Sequence, residues 1–143
     1  MGRRREGREA AAQYLFAHEI QAAEAGVGDE AFWDLHMAKK GARAYAESLV
    51  KGVIAHLPEI DRCIEGALEN YSMIRLAGVD RNILRVAVYE LNHAADAPPP
   101  VVINEAIEIA KKFGTSDSGK FVNGILDRIA KSRKTAPPAS AVP

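Results

Sequence analysis

The sequence predicts an all-α domain, on three observations. Apolar residues recur at helical spacing through almost the whole chain, no segment sustains the alternation of a strand, and glycines and prolines cut the pattern into helix-sized pieces. With 143 residues, 48% of them hydrophobic, the chain is long enough for one domain with a real core.

The first helix is expected from about Arg5 to Ala23, with Ala11, Ala12, Leu15, Phe16 and Ile20 as its apolar side, until the glycines of "AGVGD" end it. A short helix around Glu30 to Met37 carries Phe32 and Trp33, with Trp33 at the boundary of the core. Next, "GARAYAESLVKGVIAHL" gathers Tyr45, Ala46, Leu49, Val50, Val53, Ile54 and Leu57 on one half of the wheel. Pro58 interrupts it and suits the first turn of a fourth helix, whose stripe is Ile60, Cys63, Ile64, Ala67, Leu68 and Tyr71. The fifth, "AGVDRNILRVAVYELNHA", has Asp80 where a carboxylate complements the positive N-terminus. Its apolar residues cover so much of the circumference that this helix should be central. Glu90 falls inside that apolar sector and needs an arginine partner or a helix end to cap.

After the stiff break "DAPPP", the residues Val102, Ile103, Ala106, Ile107, Ile109, Ala110 and Phe113 mark a sixth helix that stops at Gly114. The seventh lies in "DSGKFVNGILDRI", with Phe121, Val122, Ile125, Leu126, Ile129 and Ala130 as its arc. Phe121 sits at the edge of that arc beside Gly124 and Arg128, where its ring can finish the core or keep a face for something flat to stack on. From about Ser132 the chain turns to "KTAPPASAVP", which has no apolar period and reads as a disordered tail. The expected organisation is a domain over residues 1–131 followed by a tail over 132–143.

Nineteen basic and nineteen acidic residues cancel, so any nucleic-acid contact must come from local charge segregation. One such segment is "GRRREGRE", with Arg3, Arg4, Arg5 and Arg8 against Glu6 and Glu9. It does not lead into a signal peptide, because Gln13, His18 and Glu19 break the apolar run that follows. No apolar run approaches the ~20 residues of a membrane span. A single cysteine excludes an internal disulfide framework, and the chain reads as soluble and cytoplasmic.

Sites for chemistry are sparse. His18, His36, His56 and His93 show no helical metal spacing and there is no Cys-x-x-Cys, so no metal or cofactor is expected. His56 reads as a satisfied core or boundary histidine and Cys63 as a small hydrophobe. No carboxylate pair is marked out as acid and base. On the residues alone an interaction module is favoured over an enzyme.

The stretch "VDRNILRVAVYELNHAADAPPPVVINEAIEIAKKFGTSDSGKFVNGILDRI" resembles the C-terminal half of the NusB family of transcription antitermination factors, with "LRVAVYEL", "INEAIEIAKKFG" and "KFVNGILD" in that order. The opening "RRREGREAAAQYLF" is similar to the family's basic arm and first helix, and the likeness covers roughly residues 3–130. The resemblance implies an all-helical protein of two packed helical bundles that binds boxA RNA together with ribosomal protein NusE. Such proteins join the RNA polymerase antitermination complex, notably on ribosomal RNA operons, without enzymatic activity. It further implies an RNA surface of Arg4, Arg5, Arg8, Asp117, Ser118, Lys120 and Phe121, with Phe121 as a stacking platform. Phe16 and Asp80 would meet NusE. Phe16 stands where many relatives have tyrosine, and Gly119 replaces a larger, often polar residue, which would loosen the loop before the last helix. Two other readings are a NusB-like accessory domain related to that of RNA cytosine methyltransferases, and a homodimer that covers its RNA surface while free.

Overall fold

A computed structural model of the chain describes residues 2–19, 33, 40–69, 72–94 and 97–135. These form six α-helices and a 3₁₀ turn, with no strand among the described residues. The helices are α1 (Gly2–Ala17), α2 (Lys40–Ala55), α3 (Leu57–Ala67), α4 (Gly78–His93), α5 (Pro99–Phe113) and α6 (Ser118–Thr135), with the 3₁₀ turn at Met73–Arg75 between α3 and α4. No helix among the described residues is long and apolar enough to cross a membrane.

Proline places two of the helix starts. Pro58 lies in the first turn of α3, where its missing N–H would have had no helical partner. Pro98 is extended and Pro99 opens α5, whose last turn ends at Gly114. The helix α1 closes at Ala17 rather than near Ala23, and α6 runs to Thr135, past the expected end near Ser132. Of the expected short second helix, Trp33 alone is described, and residues 136–143 of the expected tail lie outside the described residues.

The helix α4 is central, as its all-round apolar sequence requires, and it touches all five of the others. Its Leu84 and Val88 are sealed from solvent together with Val50 and Val53 of α2, Ile60 and Ile64 of α3, Val102 of α5, and Val122 and Leu126 of α6. The helices α1 and α2 pack on each other and on α4, while α5 and α3 both pack on α6 and on α4, giving two packed groups that share α4. Trp33 is fully buried and stacks on Tyr14 of α1 at 5.2 Å between ring centroids, so its role is in the core. Phe16, counted with the apolar side of α1, instead points outward with 51% of its surface exposed.

Two pairs of contacts fix the direction of α1. Arg8 meets Glu90 while the ring of Phe16 lies against Gly78, so α1 runs antiparallel to α4. Arg5 meets Glu105 while Glu9 meets Lys112, so α1 runs parallel to α5. These directions decide where the candidate site residues fall.

Candidate nucleic-acid and partner interface

Glu90 finds the arginine its sequence position calls for. Arg8 donates through Nε to Oε1 at 2.7 Å and through Nη2 to Oε2 at 3.0 Å, and the Tyr45 hydroxyl donates to the same Oε2 at 2.5 Å. Arg8 is only 4% exposed and Glu90 1%. Burial alone would pull the Arg8 guanidinium down, but the hydrogen bonds and charge of Glu90 outweigh it and hold the group above its ordinary value. Burial, seconded by the Glu90 carboxylate, pushes the Tyr45 phenol up to about 12. Phosphate contact by Arg8 is therefore a site expectation that the structure opposes. Its guanidinium is saturated inside the protein, and moving it to RNA would strand a buried carboxylate.

Nearer the start of α1, Arg5 makes a two-pronged pair with Glu105, at 2.8 and 2.6 Å. The hydrogen bond from Arg5 holds the Glu105 carboxyl below the usual carboxylate range. Arg4 is exposed, its guanidinium carbon 5.3 Å above the centre of the Tyr45 ring. Of the three arginines, Arg4 thus presents the most accessible charge.

The loop before α6 is closed by Ser118. Its hydroxyl accepts the Thr115 N–H at 2.9 Å, and the side chain is buried at 2% exposure. Ser118 shapes the loop that displays Asp117, and Lys120 follows in the first turn of α6; both are exposed. Gly119 lies within α6, buried, with a Cβ position 3.1 Å from Cγ of Lys111, so its small size fits the α5 to α6 contact. Phe121 is half-buried, and it both packs on the core and borders two surface hollows. Leu68, Lys120, Gly124 and Arg128 line one; Arg75, Ala77, Asp80 and Asp117 line the other. The ring thus takes part in the core and also lines the surface beside it.

A third hollow, mainly apolar, lies between α1, α4 and α5 and is lined by Gln13, Phe16, Val79, Ile83, Ile109 and Phe113. Phe16 rests directly on the first turn of α4: a Cβ built on Gly78 would come within 2.5 Å of the ring carbon Cε1. A clamp holds the two elements together. Arg81 pairs with Glu19 beyond the end of α1 and donates to the carbonyls of Met73 and Leu76 at 2.9 and 2.7 Å, while Asn82 donates to Glu19 at 2.8 Å. Asp80, in the same first turn, borders the Phe121 hollow, and its Oδ1 is buried with no hydrogen-bond partner among the described residues.

The structure therefore brings Asp80, Asp117, Ser118 and Phe121 together, and sets Phe16 on the neighbouring side of the same α4 turn. It does not bring the arginines to Phe121. Arg5 meets α5 at Glu105, about ten residues before the loop, or ~15 Å along the helix. Sequence reasoning missed Arg75, which lies in the 3₁₀ turn before α4 and outside every motif singled out. Arg128 was signalled, two turns from Phe121 on the wheel.

Comparison with known proteins identifies relatives of the whole fold. A profile of the NusB family matches residues 5–131. A transcription antitermination protein NusB from Geobacter sulfurreducens is 50% identical over 92% of this chain and 96% of its own. The solved structure of T. maritima NusB is 46% identical, with a TM-score of 0.77 and 90% of each chain covered. A structure of antitermination factors NusB and NusE in complex with double-stranded RNA includes a chain 32% identical, with a TM-score of 0.81, covering 92% of this chain and 98% of that one.

Proposed function

The chain belongs to the NusB family, and on that premise we propose that it is a non-enzymatic, cytoplasmic transcription antitermination factor of a bacterium. In this reading it binds boxA RNA together with ribosomal protein NusE and promotes read-through by RNA polymerase, notably in ribosomal RNA operons. The observation that carries the proposal is the sharing of one helix turn by two different surfaces. Residues 78–80 of α4 support an exposed phenylalanine over an apolar hollow on one side and border the Phe121 hollow on the other. The apolar side, with Phe16, suits a protein partner, and the Phe121 side, with Lys120, Arg75 and Arg128 close by, suits unstacked bases and their phosphates.

Within this reading Arg4, Arg5 and Lys120 supply charge, Phe121 stacks a base, and Asp117 with Ser118 sets the loop. Asp80 lines the seam between the two ligands at the Phe121 hollow. Arg8 positions α1 from the inside. The domain is proposed to span residues 1–131. Relatives matched along nearly their whole length carry the antitermination name, which favours this reading over the methyltransferase accessory domain.

The test is a titration of labelled boxA RNA with the protein, with and without NusE, at two salt concentrations and against a scrambled RNA. Binding strengthened by NusE and selective for sequence is expected, and Phe121→Ala should weaken it by ~1–3 kcal/mol, roughly 5–150-fold. Equal binding of scrambled RNA that vanishes with salt would overturn the proposal.

A further inference from the structure

Away from both surfaces, at the corner where α2 meets α3 and α4 ends, three side chains with metal-ligating atoms converge. His56 precedes α3, Glu59 lies in its first turn, and His93 is the last residue of α4. His93 Nε2 is 3.0 Å from Glu59 Oε2 and His56 Nδ1 is 3.5 Å from Glu59 Oε1. One ligating atom from each of the three lies within 4.8 Å of the others. No spacing in the sequence announces this group, because 37 positions separate the two histidines.

We propose that His56, Glu59 and His93 form a surface binding site for a divalent transition-metal ion of the zinc class. Two imidazole nitrogens and a carboxylate are a donor set that such ions take, whereas calcium and magnesium prefer oxygen alone. Ligands about 2.0–2.2 Å from a tetrahedral ion stand ~3.3–3.6 Å apart, so the observed spread closes by side-chain rotations that also bring each ring plane onto the ion. The carboxylate now bridging the two imidazoles would turn its oxygens onto the ion, with the remaining position open to water.

The imidazoles are also held in place before any ion arrives. The His56 and His93 rings stack at 4.0 Å between centroids, and His93 in turn stacks on Tyr89 at 5.4 Å. Tyr89 is fixed from below, since its ring lies so close over Gly52 that a Cβ there would fall 2.1 Å from Cζ. Gly52, Tyr89, His93 and His56 thus make a layered support whose outer nitrogens face Glu59. Each imidazole takes an ion in its own ring plane, so binding would turn the stacked rings apart until both planes meet at the ion. An ion there would tie the α2–α3 corner to the end of α4.

Tag-free protein, dialysed against chelator, would be titrated with Co²⁺ while visible absorption and thermal unfolding are followed, and the titration repeated with Zn²⁺ and Mg²⁺. One Co²⁺ per chain is expected, with d–d bands in the visible and displacement by Zn²⁺ but not by Mg²⁺. At ~100-fold excess over Kd the unfolding midpoint should rise by roughly 5–10 °C. His93→Gln and Glu59→Gln, both on the surface, should retain the helical circular dichroism and lose the bands. His18→Gln should keep them. No saturable absorption change, or bands that survive in both His93→Gln and Glu59→Gln, would overturn the proposal.

Discussion

Arg8→Met separates a structural arginine from a phosphate-binding one. In the native protein two hydrogen bonds, at 2.7 and 3.0 Å, join Arg8 to a carboxylate that is 1% exposed. Removing one partner of a buried pair costs about 3–5 kcal/mol, because the remaining charge is left in a poorly solvating interior. Here the Tyr45 hydroxyl still donates to Glu90 and the methionine still fills the space, so ~3 kcal/mol is the expected loss. For a chain of this length that is a fall in unfolding midpoint of roughly 6–12 °C. Urea unfolding followed by circular dichroism measures it, with the slope unchanged if the native state stays compact. Adding Glu90→Gln should recover at least half of the loss, since the amide removes the stranded charge and can still accept from Tyr45. Below its unfolding transition, Arg8→Met should bind boxA RNA with NusE as the unaltered protein does. Native stability combined with weakened RNA binding would refute the assignment of Arg8 to the interior.

Gly78→Ala should displace the Phe16 ring, because the added carbon would sit 2.5 Å from it, and NusE binding should weaken at least several-fold in calorimetry while RNA binding by the isolated chain changes less. Tyr45→Phe should flatten the alkaline limb of the stability curve. The folded phenol is raised to about 12, so the stability it contributes is whole below its ordinary value of 10.0 and lost as pH climbs from there towards 12. Arg5→Gln should act at the acid end. The folded Glu105 carboxyl lies below the ordinary 4.5, so its contribution is present above that value and lost as pH falls through the folded value, and the variant should show a shallower loss in acid titration followed by circular dichroism.

The helices were legible because burial imposes a period. The arc of α4 predicted its central place, and Glu90 inside that arc predicted an arginine without saying which one. Arg8 was misread as a phosphate contact because a charged run near a chain end looks alike whether its side chains face water or turn inward. Only the packing of α1 across α4 distinguishes position 8 from position 4. Phe16 was read as part of an apolar side for a related reason, since the wheel cannot tell a residue that meets its own core from one kept for a partner. The His56, Glu59 and His93 cluster was illegible in principle, because its geometry is made by the meeting of α3 with the end of α4.

The first turn of α4 explains how two ligands could favour one another without a large rearrangement. Residues 78–80 have little room to move separately: Phe16 presses on Gly78, Arg81 and Asn82 tie the turn to Glu19, and Arg81 also holds the carbonyls of the preceding 3₁₀ turn. A protein that covers Phe16 therefore loads the same rigid turn that carries Asp80 towards Phe121. Because the turn is already held, neither ligand spends free energy on ordering it, and contact between the two ligands across the seam is what would couple them. Coupling is reciprocal, so RNA must strengthen NusE binding by the same factor as NusE strengthens RNA binding.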